Sequence, residues 1–506
     1  MTKNKFFVTT PIYYINDVPH IGHAYATFAA DILARYHQQI EGKTFLLTGS
    51  DENSQKTVEA AQKRNLPVEK YAEEMAKTWQ ETWRKLNIAD GQFGFVRTTG
   101  KNHERFVQEV FQKIHDAGFI EQGVYKGLYC VGHEAFVKNE DLDEKGLCPD
   151  HKTKPEILEE KNYFFKLKDF EEKLKGLYEK GPDFIQPIER RNEVTSFVAR
   201  GLENISISRE KARWGIKVPF DESQRIYVWF DALLSYYSGS PKEFWPADVH
   251  IIGKDILRFH AVIWPAMLIG YGEHNLPTNV PANQYVTFKG SKASKSMGVG
   301  KSIGWYADRL EPDALRFAIA SVLPEQNDTD LTDDEIVRRI NEELVATWGN
   351  LVNRVLTIAS RNFDGKVPSP GRLAAEDQQI VDGVDGALTD IAALIDRVEL
   401  KAGLRAAMDA ATTVNVYLNA TEPWKLLKTD LVRAGTVLWT AIQAISGLRV
   451  GFSPYLPFTT GPLGEMLGLG PELSEWARPE LAAGSRLGQI SPLFKKLEDD
   501  IIANDT

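Results

Sequence analysis

Two histidines bracket a glycine at the start of the first helical pattern in the chain. His20 and His23 are three residues apart, with Gly22 between them, so on a helix both imidazoles face the same side. A helix N-terminus presents N–H groups and a partial positive charge to anions, and glycine lets a bulky group approach the backbone. This arrangement suits phosphate binding. Two surface histidines are the alternative, and a metal site is disfavoured because no third ligand lies nearby in sequence.

A basic segment far downstream offers matching chemistry. It lies on a glycine-flanked loop after a predicted strand and carries two ammonium and two hydroxyl groups, on Lys292, Ser294, Lys295 and Ser296. Such groups suit a pyrophosphate leaving group, because each charge-assisted hydrogen bond contributes about 1.5–3 kcal/mol. For this segment alone, a solvated basic turn is the alternative. The chain holds neither a Walker phosphate loop nor the GxGxxG dinucleotide fingerprint.

The segments that must position these residues begin with a strand–loop–helix–strand pattern. Residues 5–10 predict a strand, residues 11–19 a loop, residues 21–42 a helix and residues 44–50 a buried parallel strand. Three later segments, RIYVWFDALLSYY, VHIIGKDILRFH and QYVTFKG, each put an apolar run before a polar turn. Together they predict a doubly wound, Rossmann-like α/β domain that binds ligands at the carboxyl ends of its parallel strands.

Changes in composition divide the chain into five segments. Residues 1–115 and 226–280 are predicted to form the two halves of the nucleotide-binding domain. Residues 116–225, rich in Lys and Glu, form an insertion that holds both cysteines, and residues 281–335 carry the lysine loop. Residues 336–506 predict an all-α helical bundle with a Gly- and Pro-rich C-terminal wrap.

Bulk composition limits the function classes. The 506 residues are enough for about three domains, and the net charge of -10 argues against a histone-like nucleic-acid binder. Two cysteines rule out a disulfide framework and fit a reducing compartment. No apolar run reaches the roughly 18 residues of a membrane span, and the first residues lack the apolar core of a signal peptide. We therefore expect a cytoplasmic protein without a membrane partner.

Read literally, HIGH at His20–His23 followed by KASKS resembles the paired signature of class I aminoacyl-tRNA synthetases. The second motif usually reads KMSKS in that class, and Ala293 replaces its methionine here. Five segments spread over nearly the whole chain resemble the methionyl-tRNA synthetase family: TTPIYYINDVPHIGHAY, GSDENS, YVWFDALLSYY, GKDILRFHAVIWPAM and NLVNR. One departure is Asn53–Ser54 in GSDENS, where many members have a His-Gly pair.

The resemblance implies an ATP-dependent, AMP-forming methionine–tRNA ligase. L-Methionine would be activated to methionyl-adenylate and pyrophosphate with the help of Mg²⁺, and the methionyl group would pass to the 3′-terminal adenosine of initiator and elongator tRNA(Met). A monomer is expected, because no appended C-terminal oligonucleotide-binding module is seen. Another class I ligase, such as a cysteine- or valine-charging enzyme, and a non-catalytic tRNA-binding relative are the alternatives. The aromatic segments disfavour the first and the intact HIGH and lysine motifs the second.

The resemblance also implies roles for individual residues. The catalytic group comprises His20, His23, Lys292 and Lys295. The ATP-binding group comprises Asn16, Gly22, Gly253, Asp255, Ser294, Lys295 and Ser296. The methionine-binding group comprises Ile12, Tyr14, Asp51, Trp229, Ala232, Leu233, Tyr236, Ile256 and His260.

The chemistry of these pocket residues agrees with methionine. A flexible side chain with a soft sulfur favours aromatic neighbours such as Tyr14, Trp229 and Tyr236. A tyrosine hydroxyl and His260 are expected to reach the sulfur as weak donors, and Asp51 is expected to pair with the α-ammonium. For YVWFDALLSYY without the signature motifs, plain hydrophobic core is the alternative.

The predicted insertion contains two copies of a Cys-x-x-His spacing. The four side chains are Cys130, His133, Cys148 and His151, and two paired turns of sulfur and nitrogen ligands are typical of tetrahedral structural zinc. Four protein ligands leave no open position, so the ion would be structural. A metal-free hairpin is the alternative.

Three residues of the helical segment are implied to read the CAU anticodon. Asn350 and Arg354 lie one turn apart on a helix, and Trp424 follows a proline beside two lysines. Bases of RNA loops are recognised by stacking on aromatic rings and by hydrogen bonds to their edges, and stacking on Trp424 would contribute about 1–3 kcal/mol. A core tryptophan and a helix-surface pair are the alternative.

Overall fold

The computed structural model describes residues 5–88, 93–131, 135–137, 139–149, 152–288, 291–292, 301–498 and 501–502. The strands in this part of the chain are β1 (Phe6–Tyr14), β2 (Thr44–Asp51), β3 (Phe93–Arg97), β4 (Ile120–Cys130), β5 (Ala135–Val137), β6 (Glu156–Phe165), β7 (Ile185–Gln186), β8 (Ile205–Ser206), β9 (Ser208–Arg209), β10 (Lys217–Val218), β11 (Asp221–Ile226), β12 (Val249–His250), β13 (Ile252–Gly253), β14 (Val280–Asn283), β15 (Val286–Phe288), β16 (Ser291–Lys292) and β17 (Thr329–Asp330).

The α-helices of the first two thirds of the chain are α1 (Ile21–Glu41), α2 (Gln55–Lys63), α3 (Val68–Lys85), α4 (Lys101–Asp116), α5 (Glu171–Lys180), α6 (Ile188–Ala199), α7 (Val228–Ser238), α8 (Trp264–Tyr271), α9 (Ile303–Ala307) and α10 (Pro312–Ala320). Those that follow are α11 (Asp333–Arg338), α12 (Asn350–Asn362), α13 (Ala375–Asp396), α14 (Leu400–Thr421), α15 (Pro423–Leu426), α16 (Leu431–Phe452) and α17 (Pro457–Leu467).

A parallel sheet assembled from both predicted halves of the nucleotide-binding domain carries the site. Strands β3, β2, β1 and β12 lie side by side and run parallel. A parallel bridge between Val249 and Asn279 extends the order toward β14, which pairs with β13 and β7. The fold is thus the mixed α/β architecture predicted above, with a parallel Rossmann-like sheet.

The first strand–helix–strand unit forms because one face of α1 is apolar. Its predicted core residues are all at most 3% exposed: Ile21, Tyr25, Phe28, Ile32 and Tyr36. The helix ends at Gly42, whose φ of 76° lies in the left-handed region that glycine tolerates best. The predicted helix is therefore confirmed together with its end.

Two sequence predictions about local structure are wrong. Residues 11–14 are not loop, because β1 resumes its pairing with β2 at Ile12 after an irregularity that follows Thr9. The segment YVWFDALLSYY is mainly helix α7 rather than a parallel strand. Its run of apolar residues is compatible with a helix or a strand. A helix that is buried on nearly all sides lacks the 3.6-residue repeat of apolar side chains by which an amphipathic helix is told from a strand.

The predicted insertion contains an antiparallel sheet, with the order β5–β4–β6–β8. Strand β7 also falls within the predicted insertion, yet it pairs in parallel with β14 of the main sheet. The boundaries of the predicted insertion therefore do not coincide with the boundary between the antiparallel sheet and the main parallel sheet. The five-segment division of the chain stays a prediction.

The last third of the described chain is helical, as predicted. Helices α11 and α12 are joined by the π-helical segment Arg339–Gly349 into one continuous rod. The side chain of Thr332 caps this rod by accepting a hydrogen bond from the N–H of Glu335, and Asp333 and Asp334 lie in its first turn. Helix α16 is long and apolar enough to cross a membrane, but 78% of its most apolar window is buried inside the protein.

A buried arginine joins the sheet domain to the helical part. Arg316 on α10 is 1% exposed and donates to the carboxylate of Asp31 on α1 and to the carbonyl of Tyr455, at 3.0 Å for the latter. A second contact runs from Lys301, whose Nζ donates to the carbonyl of Ile502 at 2.6 Å. The helix that carries both histidines is therefore fixed to the helical bundle.

Candidate active site

His20 and His23 cap helix α1 with their own imidazoles. The Nδ1 atom of His20 accepts a hydrogen bond from the N–H of Gly22, and Nδ1 of His23 accepts one from the N–H of His20, both at 3.1 Å. The two side chains thereby form a reciprocal capping box, with imidazole replacing the usual hydroxyl and carboxylate. Two backbone N–H groups that the sequence suggested for anion binding are consequently used within the cap.

The cap fixes which nitrogen of each ring carries the proton. An Nδ1 atom that accepts a hydrogen bond holds no proton, so each ring carries its proton on Nε2. Burial lowers the pKa of His23 well below its usual range, and the neighbouring His20 lowers it further. His23 is therefore a neutral donor through Nε2–H, which is suited to hydrogen bonding with a phosphate oxygen.

Glycine is needed at position 22 to make room for the imidazole of His20. A Cβ atom there would lie 2.9 Å from Cε1 and 3.0 Å from Nδ1 of His20. We expect Gly22→Ala to displace this imidazole and lower ATP–pyrophosphate exchange about tenfold, the loss of roughly one neutral hydrogen bond in the transition state. Gly383→Ala, on an exposed helix position with open space around it, is the matched control. Exchange at the wild-type rate in Gly22→Ala would contradict this explanation.

The lysine loop lies mostly outside the described residues. Ser294, Lys295 and Ser296 fall there, and of Lys292 only the backbone is described, on strand β16 paired with Thr287 of β15. The chain after the loop docks against the histidines, because Ser302 forms an antiparallel bridge with His20 and the N–H of Ile303 donates to Pro19. One end of the loop is thus attached beside the histidine pair.

Asp51 and Tyr14 are neighbours at the carboxyl edge of the sheet. They are paired in register at the ends of β2 and β1, and Asp51 is 3% exposed. The Nζ atom of Lys56 lies 4.3 Å from the centre of the Tyr14 ring. Asn16, on the following loop, lines a cavity of about 200 Å³ that Lys56 also borders. This edge therefore combines a buried carboxylate with aromatic and cationic groups.

Aromatic side chains from separate elements form the predicted methionine pocket. Trp229 on α7 lies edge-on to Tyr14, with 6.4 Å between ring centres, and stacks on Phe259 at 4.1 Å. Ala232, Leu233 and Tyr236 of the same helix are at most 3% exposed. Ile12, at the register position opposite Gly49, contributes from β1. The predicted apolar residues therefore converge beside Asp51.

Tyr236 and His260 use their hydrogen-bonding groups on each other. The Nδ1 atom of His260 lies 3.0 Å from the carbonyl oxygen of Ile256, which can only accept, so this nitrogen carries the proton. Nε2 must then accept from the hydroxyl of Tyr236, at 2.7 Å. The protons of Tyr236 and His260 are thus both engaged within the protein in this arrangement, and the expectation that a tyrosine hydroxyl and His260 reach the methionine sulfur stays a prediction.

Burial of neutral His260 gives stability a defined pH dependence. Its pKa falls from 6.5 to about 4, chiefly through burial. As the pH falls, His260 is therefore protonated in the unfolded chain before it is protonated in the folded protein. Its contribution to the free energy of unfolding is complete above about pH 6.5 and is lost as the pH falls toward 4. We expect this residue alone to lower the free energy of unfolding by about 2 kcal/mol between pH 7 and pH 5.

Chemical denaturation followed by tryptophan fluorescence at both pH values tests this expectation. The matched variant is His260→Gln, which keeps a polar side chain of similar reach but does not titrate. Its loss of stability between pH 7 and pH 5 should be smaller than the wild-type loss by about 2 kcal/mol. An equal loss in both proteins would contradict the assignment.

Gly253 ends strand β13, and Asp255 follows it at the same edge of the sheet. A Cβ atom on Gly253 would lie 2.6 Å from Oδ1 of Asp255, so glycine permits this carboxylate to fold back over the strand end. Lys254 between them pairs with Asp328 at 2.7 Å. Asp255 is exposed, and a carboxylate here is suited to a ribose hydroxyl.

Only half of the predicted zinc site can be compared with the structure. Cys130 and Cys148 are buried, at 0% and 1% exposure; Cys130 pairs with Ala135, and the N–H of Cys148 donates to the carbonyl of Thr153 at 2.8 Å. His133 and His151 lie outside the described residues. Within the described part of the chain, no group of three or more His, Cys, Asp or Glu suits a metal ion.

The three predicted anticodon-reading residues lie on neighbouring helices. Arg354 on α12 lies 5.4 Å from the ring of Trp424 on α15, and Asn350 is exposed one turn earlier. The guanidinium of Arg354 donates to Asn415 at 2.9 Å and to Asn419 at 3.4 Å, both on α14. Its Nε has no hydrogen-bond partner among the described residues. A cation, an aromatic ring and an exposed amide therefore share one surface.

Several residues near the pocket escaped the sequence prediction. Trp264 donates to Nε2 of His250 at 3.3 Å, which leaves Nδ1–H of His250 to donate to Thr9 at 2.6 Å. The His250 ring lies 4.6 Å from that of Tyr236. Phe259 stacks on Trp229. The only sequence signal for His250 and Phe259 was their position in VHIIGKDILRFH, and neither their burial nor their partners could be inferred from it.

The fold and this site define a class I tRNA synthetase. The family model described as tRNA synthetases class I (M) matches residues 6–154 and 147–356, and that described as the anticodon binding domain of methionyl tRNA ligase matches residues 367–504. The methionine–tRNA ligase of Streptomyces coelicolor is 38% identical over 98% of this chain and 97% of its own length. The methionine–tRNA ligase of Rickettsia felis is 36% identical over 99% of this chain and 100% of its own length.

Solved structures agree with these relatives. Mycobacterium tuberculosis methionyl-tRNA synthetase in complex with methionyl-adenylate is 33% identical, with a TM-score of 0.92 over 97% of this chain and 99% of that one. The apo form of the M. tuberculosis enzyme gives a TM-score of 0.85 at 32% identity. The chain therefore belongs to the methionine–tRNA ligase family and is an enzyme of that family.

Proposed function

We propose that this enzyme activates L-methionine with ATP and transfers the methionyl group to the 3′-terminal adenosine of tRNA(Met). The observation that carries this proposal is the convergence at one sheet edge of Asp51, the aromatic pocket of Tyr14, Trp229 and Tyr236, and the histidine cap of α1. The relatives' names and the methionyl-adenylate bound to the M. tuberculosis enzyme support the same reaction.

In the first step the carboxylate of methionine attacks the α-phosphorus of ATP, and pyrophosphate leaves. The substrate carboxylate is itself the nucleophile, so the protein contributes position and charge stabilisation. Asp51 binds the α-ammonium, and the aromatic rings hold the side chain. The Nε2–H groups of His20 and His23 donate to phosphate oxygens. Lys292 and Lys295 bind the leaving pyrophosphate, with Ser294 and Ser296 beside them.

In the second step a hydroxyl of the terminal ribose attacks the carbonyl carbon of the adenylate, and AMP leaves. Selection of the tRNA is assigned to the surface of Asn350, Arg354 and Trp424. Asn16, Gly22, Gly253 and Asp255 contact the nucleotide, and Mg²⁺ accompanies ATP as the counter-ion of its phosphates.

ATP–pyrophosphate exchange with each of the twenty amino acids tests the first step, and charging of tRNA(Met) tests the second. Exchange restricted to methionine together with charging is the expected result. Exchange with a different amino acid would indicate another class I ligase, and the absence of exchange with any of them would indicate a non-catalytic tRNA-binding protein.

We propose a structural zinc ion on Cys130, His133, Cys148 and His151. The two buried cysteines and the repeated Cys-x-x-His spacing support this, because thiolate and imidazole groups are suitable ligands of structural zinc. We expect one zinc per chain by elemental analysis of the purified protein and its loss in His133→Ala. His115→Ala, at a partly exposed histidine of α4 that precedes the predicted insertion, should keep its zinc. Unchanged zinc in His133→Ala would refute the site.

We further propose a monomeric protein located in the cytoplasm. The small number of cysteines supports a reducing compartment. Light scattering during gel filtration should give a mass near 56.9 kDa, and cell fractionation should recover the activity in the soluble fraction. A mass of twice this value or recovery in the membrane fraction would contradict the respective proposal.

A further inference from the structure

A buried carboxylate beside the methionine pocket connects segments that are far apart in sequence. Asp231 on α7 is 1% exposed. One of its oxygens accepts a hydrogen bond from the side-chain amide of Asn53 at 2.7 Å. The other lies 2.5 Å from Nε2 of His103, a residue of α4 that is 3% exposed.

Each partner of Asp231 is itself held in place. The amide of Asn53 also donates to the carbonyl of Thr98, just beyond the end of β3, at 3.2 Å. The Nδ1 atom of His103 lies 2.7 Å from the hydroxyl of Ser238 at the end of α7. We call Asn53, His103 and Asp231 the carboxylate clamp. It joins the end of β2, the end of β3, α4 and α7.

The position of the clamp relates it to both ends of the amino-acid substrate. Asn53 lies two residues after Asp51, which binds the α-ammonium in the proposed function. Asp231 lies between Trp229 and Ala232 on the helix that lines the side-chain pocket. The clamp therefore fixes the distance between the ammonium subsite and the wall of the side-chain subsite.

We propose that Asn53 and Asp231 are positioning residues that select the length of the amino-acid side chain. They contact no substrate atom themselves. A pocket whose two ends are held at a fixed distance rejects a side chain that is one methylene too short or too long. One methylene changes the free energy of transition-state binding by about 1–3 kcal/mol. This inference rests on the proposed methionine site.

The experiment compares methionine with S-methylcysteine, which is one methylene shorter, and ethionine, which is one methylene longer. ATP–pyrophosphate exchange gives kcat/KM for each substrate. We expect Asn53→Ala to lower kcat/KM for methionine about tenfold and to lower it less for the two analogues. The ratio of kcat/KM for methionine to that for each analogue should therefore decrease at least about fivefold. The KM for ATP should stay within twofold of the wild-type value.

Asp231→Asn is the second variant and keeps the size of the side chain while removing its charge. It should narrow the same ratios, because the amide nitrogen that replaces one carboxylate oxygen can only donate, and one of the two original hydrogen bonds must therefore change. Asn102→Ala, exposed and adjacent to His103, is the matched control and should retain the wild-type ratios. Thermal unfolding of each variant confirms that the folded protein is compared.

Two further variants separate the clamp from the site on which it depends. Asp51→Asn and Trp229→Ala should each raise the KM for methionine. If they do and Asn53→Ala lowers exchange with all three substrates equally, or leaves all three unchanged, the clamp does not select length and the inference fails. If Asp51→Asn and Trp229→Ala leave the methionine KM unchanged, the proposed methionine site itself is wrong.

Discussion

Replacing His23 with alanine is expected to lower the rate of methionyl-adenylate formation by about 10²–10³-fold, as loss of a preorganised donor to developing charge does in other enzymes. The ring is neutral because burial lowers its pKa, and its Nδ1 is occupied by the N–H of His20. The lost group is therefore Nε2–H, and the KM for methionine should stay nearly constant because no part of this ring lines the side-chain pocket. Pre-steady-state formation of pyrophosphate measures the effect.

Two amide variants distinguish the two nitrogen atoms of His23. The amide of His23→Gln reaches the position of Nε2 and can donate there, whereas that of His23→Asn reaches only the position of Nδ1 and can accept from the N–H of His20. If donation from Nε2 drives catalysis, the Gln variant should be the more active of the two. If capping of α1 were the whole role, the Asn variant should be the more active and thermally more stable.

Replacing Arg354 with alanine is expected to raise the KM for tRNA(Met) about 10- to 150-fold, which corresponds to the roughly 1.5–3 kcal/mol of a hydrogen bond to a charged group. Its guanidinium is held by two neutral amides, with no carboxylate at ion-pair distance in the described part of the chain. Burial lowers the pKa of Arg354, but arginine stays charged at neutral pH. This positive charge is therefore available to RNA.

Exchange in the absence of tRNA serves as the control for Arg354→Ala. It should be unchanged, because Arg354 lies on α12, in the helical segment that is predicted to bind the anticodon, and the exchange reaction uses only methionine and ATP. Arg361→Ala, on the same helix, is the matched variant and should retain the wild-type KM for tRNA. Equal tRNA KM values for Arg354→Ala and the wild type would exclude anticodon reading by this surface.

The residues that could be identified from the sequence are those whose chemistry depends on their immediate neighbours in the chain. His20, Gly22 and His23 form one short motif, and the buried face of α1 follows from a helical period. The fold class was predictable because strands that end in polar turns alternate with helices over the first segments. The strand at residues 11–14 was missed because Pro11 suggested a loop, whereas pairing with β2 resumes one residue later.

The contacts that determine the chemistry of the site could not be predicted, because they depend on partners far away in sequence. Asn53 was visible only as a departure from the family pattern, yet its amide meets Asp231, 178 residues later. The tautomer of His260 depends on a backbone carbonyl and on Tyr236. Sequence named both pocket residues but could not reveal that Tyr236 donates its proton to His260, or that His260 donates its own to the carbonyl of Ile256.

The contact between Lys301 and Ile502 also has a consequence for protein synthesis. The two residues are 201 positions apart, and the lysine belongs to the segment that leads from the lysine loop to the bridge with His20. At about 5–20 residues per second, the ribosome makes the partner of Lys301 some 10–40 s after the lysine itself. A nascent chain therefore holds both signature motifs well before the residue that anchors Lys301 is made.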